Sequence, residues 1–212
     1  PLYHWRQSAQ STSLDTGAKP LAHLRGQKAL LETLERRKIP GEVLTANAPH
    51  FFRVRREILA RPLIDVIIPF RDQPLMLRQC IDALISNTRY DEFRVLGVDN
   101  GSVETLTLEL KDHYERETER VRFVSLDEPF NFSQIVNFGV KHTQGEHVVL
   151  MNNDIEVINC DWLEAMLEHS QRSEIGAVGA KLYYPDDTIQ HAGMAIGIGS
   201  YAGHPHKHVE GG

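Results

Sequence analysis

From residue 63 onward, short β-branched runs alternate with segments of helical period, and that alternation restricts the possible folds more than any other feature. Ile64-Asp65-Val66-Ile67-Ile68, ended by Pro69, reads as a buried strand. Residues 73–87 read as a helix through Leu75, Leu77, Ile81, Leu84 and Ile85. Phe93-Arg94-Val95-Leu96-Gly97-Val98 is a second strand, followed by a charged helix over 103–119 with Leu106, Leu108, Leu110 and Tyr114 as its apolar positions. Val121–Val124 is a third strand, 132–143 a helix opened by Ser133 as its cap, and His147–Met151 a fourth strand. Trp162, Leu163, Met166 and Leu167 mark another helix. Strands separated by helices imply βαβ units on a mostly parallel sheet, and open sheets of this kind bind ligands at the carboxyl ends of their strands.

The flanks differ. Residues 1–20 are polar and turn-rich. Leu21, Leu24, Ala29, Leu30, Leu31 and Leu34 predict a helix over 20–38, with Arg36, Arg37 and Lys38 at its end and Pro40-Gly41 stopping it. Phe51–Val54 is a short extended piece, and Arg61-Pro62 punctuates the chain. This divides the chain into a helical linker over 1–61 and an α/β domain over 62–212. After residue 175 the helical rhythm fades: Ile175–Ala180 and Leu182–Tyr184 read as strands, and Pro185-Asp186-Asp187 as a turn.

With a formal net charge of -6, the chain is a poor general polyanion binder, which disfavours nucleic acid as a partner. No stretch approaches the roughly 18 apolar residues that span a bilayer. The two cysteines, Cys80 and Cys160, form no CxxC pair and read as buried free thiols suited to a reducing compartment.

Polar clusters follow the predicted strands: Arg71-Asp72 after the first, Asp99-Asn100-Gly101-Ser102 after the second, Asn152-Asn153-Asp154 after the fourth. Asp154, Glu156 and Asn152 offer hard oxygen ligands suited to Mg²⁺ or Mn²⁺. The same triplet also suits a plain capped turn, and its position after a buried strand is what favours the metal reading. Asp99-Asn100-Gly101-Ser102 reads either as a turn that needs no function or as a site where Asp99 accepts a hydrogen bond from a nucleobase or a ribose. Phe130 and Phe132 read as packing residues. Asn137 is a poor helix former one turn inside a helix, which points to a hydrogen-bonding role. Gln190-His191 lies beside Gly193, and His204, His206 and His208 alternate in an acceptor-facing or irregular loop.

Taken in order, Val66–Asp72, Val98–Ser102, Asn131-Phe132-Ser133 through Asn137-Phe138-Gly139, Asn152–Glu156, Trp162-Leu163, Gly176–Leu182 and Ile189–Gly193 resemble inverting family-2 glycosyltransferases of the GT-A fold. The likeness is greatest to the rhamnosyltransferase-like members of bacterial polysaccharide synthesis and covers roughly residues 63–206. It implies a Rossmann-like nucleotide-sugar-binding domain that moves a sugar from a UDP- or dTDP-linked donor to a glycan acceptor. On that resemblance Pro69, Phe70 and Asp72 border the nucleobase, Asp99 contacts it, and Asn137 and Gly139 lie near the nucleotide. Asn152 and Asp154 take the outer places of the DxD motif: Asp154 holds the divalent ion, and Asn152 faces the ribose or the metal shell. Gln190 and His191 lie by the sugar or acceptor.

Two departures qualify the resemblance. The first DxD position is Asn, which removes one charge from the metal shell. No acidic motif follows residue 193, so the general base is expected beyond Gly212, and a domain cut short there would be weakly active or inactive alone. Leu2–Arg6, Lys19-Pro20 and the first helix resemble the tail of a preceding transferase domain, which implies a tandem protein, cytoplasmic or peripheral at the inner membrane. The alternatives are a nucleotidyltransferase, disfavoured because Pro69–Gln73 is not a Gly-rich phosphate loop, and a non-catalytic glycan- or protein-binding module.

Overall fold

The structure, a computed structural model, describes residues 20–198 and 201–210. The readings of residues 1–19 lie outside the described residues. The chain divides into two compact units, Pro1–Ile58 and Leu59–Gly212.

The first unit holds helix α1 (Pro20–Arg36) and the antiparallel hairpin of β1 (Gly41–Thr45) and β2 (Phe52–Arg56). Lys38 turns left-handed at φ 54, and Ile39 N–H reaches back to Leu34 C=O at 2.9 Å. These features close the helix by a Schellman-type turn. Gly41 is therefore no helix stop. It opens β1, where a Cβ would lie 2.6 Å from Arg55 O. The sequence reading missed this strand, because Gly41-Glu42 carries little β propensity and hairpin pairing supplies what propensity lacks.

The second unit contains β3 (Ile64–Phe70), α2 (Pro74–Asn87), β4 (Phe93–Asp99), α3 (Thr105–Glu117), β5 (Val121–Ser125), α4 (Phe132–Lys141), β6 (His147–Leu150) and α5 (Trp162–Ser170). Two small antiparallel pairs follow: β7 (Leu182–Tyr183) with β8 (Ile189–His191), and β9 (Ala195–Ile196) with β10 (Ala202–Gly203). The sheet order is β5-β4-β3-β6, and every pairing within it is parallel. The chain thus runs outward from β3 through β4 to β5, then returns to place β6 on the other side of β3. Strand order reverses between β3 and β6, and the carboxyl ends at such a reversal form a crevice.

Ile67, Leu96, Val98 and Ile135 form a buried cluster, with Val124, Leu126 and Phe138 packed against it. Gly139 lets α4 approach: a Cβ there would meet Ile67 Cγ2 at 2.8 Å and Val98 Cγ2 at 3.0 Å. At the opposite edge, buried Asp65 accepts from Gln144 N–H (2.7 Å) and Gly145 N–H (2.6 Å), which fixes the turn into β6.

Several local expectations change. The inward face of α3 is Thr107, Leu110 and Tyr114, while Leu106 and Leu108 are exposed. Positions 106, 108 and 110 are two apart, a spacing that cannot share one helical face. Residues 175–180 are irregular rather than a strand, and exposed or half-buried. Phe130 and Phe132 are exposed rather than packed, at 76% and 51%. Asn131, not Ser133, caps α4, its Oδ1 accepting from Gln134 N–H at 3.1 Å. Cys80 is buried, Cys160 is exposed, and both are free.

Candidate functional site

Of the residues expected at the site, Pro69, Phe70 and Asp72 lie at or just past the end of β3, Asp99 ends β4, and Asn152 and Asp154 lie on the loop after β6; Asn137 and Gly139 are on α4, and Gln190 and His191 on β8. At the end of β3, Pro69 is half-buried and Phe70 is buried edge-to-face on Phe123, centroids 5.7 Å apart. Phe70 C=O accepts from Asn100 N–H at 2.9 Å, joining the ends of β3 and β4. Asp72 and Gln73 then take left-handed φ values of 52 and 59 before Pro74 starts α2. Such values strain residues that carry a Cβ and persist only where surrounding bonds hold them. Here they do: Asp72 N–H donates to Ser102 Oγ (2.8 Å), and Asp72 Oδ1 accepts from Val103 N–H (2.8 Å) and Glu104 N–H (2.9 Å). Asp72 therefore caps the start of α3 from across the gap between loops, where Glu104 makes no side-chain cap of its own.

Asp99 closes β4 and is buried. Its Oδ1 accepts from Ser102 N–H at 2.8 Å, and Lys111 Nζ donates to its Oδ2 at 2.6 Å. Burial pushes the carboxyl up, but the Lys111 ammonium and Ser102 pull harder and hold it below its ordinary value. Next to it, Asn100 Nδ2 donates to Leu126 C=O (2.9 Å) and Glu128 C=O (2.8 Å), tying β4 to the loop after β5. Asn100 Oδ1 is buried without a protein partner. Gly101, at φ 78, takes a backbone conformation that strains any residue with a side chain, and a Cβ there would also lie 3.0 Å from Asp127 Oδ1.

On α4, Asn137 and Gly139 face different ways. Gly139 is buried against the sheet, while Asn137 is exposed in an open groove with Leu126, Asn131, Gln134, Phe138 and Lys141. Gly139 thus acts on the groove through the seating of its helix.

Beyond β6, Met151 N–H continues the ladder to Ile67 C=O at 3.0 Å, and the chain then leaves the sheet. Asn152, Asp154 and Glu156 are exposed, alternating with half-buried Asn153 and Ile155. The loop is anchored beneath. Cys80 Sγ donates to Asn152 C=O at 3.6 Å, and Asn87 Nδ2 donates to Val157 C=O at 3.3 Å. Burial pushes the Cys80 thiol up to about 11, and the charge of Asp154 adds to the shift. Among the described residues no group of three His, Cys, Asp or Glu side chains is placed to hold a metal. Gln190 and His191 sit on β8, where His191 Nδ1 lies 2.9 Å from His204 Nδ1. Lys111 went unremarked in the sequence. Its signal was a cation four residues after Thr107 and one after Leu110, inside the stripe that packs inward.

The family described as glycosyl transferase family 2 matches residues 65–207, which takes in β3 through β10 and every loop just described. The chain belongs to that family. This family-2 glycosyltransferase chain is 43% identical over 208 residues to the uncharacterized protein y4gI of Sinorhizobium fredii, and 40% identical over 210 residues to the O-antigen biosynthesis protein RfbC of Myxococcus xanthus. Each alignment takes in 97% of the chain but only 23% and 16% of those proteins, so the chain spans about a quarter or less of the relatives' length. Among solved structures, it is similar in fold to the mannosyltransferase PcManGT of Pyrobaculum calidifontis, solved in complex with GDP-Man and Mn²⁺. That match has a TM-score of 0.54 at 21% identity and covers 81% of this chain and 47% of the other. The GT-A-type α/β fold expected from the sequence is the fold observed. No helix among the described residues is long and apolar enough to cross a membrane.

Proposed function

We propose that residues 62–212 form the donor-binding part of a transferase that moves a sugar from a nucleoside-diphosphate donor to a growing glycan in the cytoplasm. The observation that carries this reading is the strand reversal at β3. It sets Asp72 and Asp99 along one side of the crevice, and Asn152 and Asp154 on the other. The base would lie by Pro69, Phe70, Asp72 and Asp99, with Asp99 the polar contact. The groove on α4 would bring Asn137 near the nucleotide, with Gly139 seating the helix. Gln190 and His191 would face the sugar or acceptor.

The loop after β6 fits a divalent cation of the Mg²⁺ or Mn²⁺ type. It offers the exposed carboxylates Asp154 and Glu156 and the amide of Asn152, and it offers no soft or imidazole set. So few protein ligands suit an ion that keeps waters and shares its coordination with a substrate diphosphate. Bound there, such an ion would neutralise charge on the leaving diphosphate. Polysaccharide synthesis is supported by the kinship to an O-antigen biosynthesis protein, and a divalent ion by the Mn²⁺ in the similarly folded mannosyltransferase.

Titration calorimetry with UDP, dTDP and GDP, each with and without Mn²⁺, tests the reading. Binding by the wild-type chain should depend on Mn²⁺, and Asp154→Ala should remove that dependence. A wild-type chain that binds glycan but no nucleotide would instead be a binding module, and release of pyrophosphate from a nucleoside triphosphate would indicate a nucleotidyltransferase.

A further inference from the structure

Lys111 occupies a place that helix packing alone does not explain. It falls in the inward stripe of α3 beside Thr107, Leu110 and Tyr114, and its side chain is only 15% exposed. Its partner, the Asp99 carboxylate, is 4% exposed. The desolvation of two buried ions rivals their attraction, and a well-packed apolar pair often serves stability as well or better. An ion pair is thus a poor means of fastening α3 to the sheet. Its position offers a different reason, because Asp99 is the last residue of β4 and stands at the crevice.

A chain of bonds starts at this ammonium. Lys111 Nζ donates to Asp99 Oδ2 at 2.6 Å, and Asp99 Oδ1 holds Ser102 N–H at 2.8 Å. Ser102 Oγ accepts from Asp72 N–H at 2.8 Å, and Asp72 Oδ1 gathers Val103 N–H and Glu104 N–H. The links pass from α3 to β4, then to the loop after β4, then to the strained loop after β3. None of them involves the loop Asn152–Glu156. Without Lys111, Asp99 becomes a buried carboxylate with no cation, which must take up a proton or swing outward. Swinging outward releases Ser102 N–H and protonation weakens the hold on it, so either response loosens the bonds that keep Asp72 left-handed.

We infer that Lys111 is a positioning residue for the base side of the crevice, holding Asp99 and, through Ser102, Asp72 in the arrangement that receives the nucleobase. This rests on the donor-site reading above and adds a residue and a division of labour to it. Lys111 governs recognition of the base, while the loop after β6 governs the metal and the diphosphate.

The test compares the full chain with Lys111→Met, Lys111→Arg, and Lys111→Met combined with Asp99→Asn. The probes are UDP, dTDP, GDP and inorganic pyrophosphate, all with Mn²⁺, titrated calorimetrically. Lys111→Met should lose about tenfold or more in affinity for the preferred nucleotide and flatten the preference among the three. Its affinity for pyrophosphate, which has no base, should stay within about twofold of wild type. Lys111→Arg, which keeps the cation, should recover most of the nucleotide affinity. The double variant carries no unpaired buried charge, so it should melt near the wild-type temperature and show that neither side chain is needed for the fold. That melting temperature, with the retained pyrophosphate affinity of Lys111→Met, separates positioning from folding. Unchanged nucleotide binding in Lys111→Met overturns the inference and leaves the donor site standing. Equal losses for nucleotide and pyrophosphate also overturn it, since they mark a merely structural lysine. A wild-type chain that binds no nucleoside diphosphate overturns the donor site, and the inference with it.

Discussion

Replacing Gly139 by alanine sets two opposed effects against each other, and the structure says which should win. Within a helix, Gly→Ala normally stabilises by about 1 kcal/mol, because the backbone loses less freedom on folding. At this position the new methyl would lie 2.8 Å from Ile67 Cγ2 and 3.0 Å from Val98 Cγ2. Carbon atoms rest at about 3.5–4.0 Å, so a gap of roughly 1 Å must open. The neighbours cannot supply it. Both are 0% exposed, both are β-branched and stiff at χ1, and they stand on adjacent paired strands at the centre of the sheet. The helix must therefore retreat, and overpacking of this kind costs about 1–3 kcal/mol. The balance is a net loss of about 1 kcal/mol. Urea unfolding followed by Trp162 fluorescence, in a Trp5→Phe background, reads it out. With a denaturant slope of about 1–3 kcal/mol/M, the midpoint should fall by roughly 0.3–1 M while the slope stays constant. A midpoint equal to or above that of the parent would mean that α4 has room to move and that packing does not require the glycine.

Asp99 sets the sign of an acid-side effect. Its carboxyl is held below the ordinary value in the folded chain, so its contribution is complete above the unfolded value, about 3.9, and is lost as pH falls through the folded one. The stability difference between wild type and Asp99→Asn should therefore hold constant from about pH 7 to 5 and shrink below about pH 4. Urea midpoints across that range check it, and a wild-type advantage that grows on acidification would contradict the geometry. The two thiols should separate cleanly. Cys160 is exposed, whereas Cys80 is buried with its thiol pushed up to about 11. A chromogenic disulfide at pH 8 should titrate one thiol in the native chain and two in denaturant. Rapid reaction of Cys80 in the native chain would show that the loop over it opens readily.

The parallel sheet could be read in advance because its two central strands, β3 and β4, are buried on both faces. Val66-Ile67-Ile68 and Val95-Leu96 are near-continuous apolar runs, which is how such strands look in sequence. The clusters after β3 and β4 could be read for the same reason, whereas β6, expected to be a buried strand, leaves Val148 and Leu150 exposed, so the place of Asn152–Asp154 rests on its parallel pairing with β3. The α3 face could not. Its inward stripe contains Thr107 and Lys111, which by type read as solvent-facing, while Leu106 and Leu108 lie outside. The stripe is polar because its end is spent on Asp99 rather than on core packing, a tertiary fact without a local signature. Residues 175–180 failed in the opposite way. Their apolar character suggested a strand, but Gly176, Ala177, Gly179 and Ala180 carry little side chain to bury, and among the described residues no neighbouring strand pairs with them. A strand exists only as part of a ladder, and periodicity cannot say whether the ladder is there.

The charges at the crevice complete the case for two separate halves. Asp99 ends β4 and Asp154 follows β6, the two strands that flank β3. The charge of Asp99 is already compensated by Lys111. Among the described residues, neither Asp154 nor Glu156 makes an ion pair. A diphosphate approaching this loop meets uncompensated negative charge, and an interposed divalent cation would convert that repulsion into shared coordination. Asp154→Ala must therefore act with opposite signs. With Mn²⁺ it should remove the ligand proposed above and weaken nucleotide binding. Without Mn²⁺ it removes a like charge, and what little binding remains should hold steady or improve. A side chain that merely shaped the turn would weaken both equally, so the sign reversal, rather than the size of either loss, identifies Asp154 as the metal's partner.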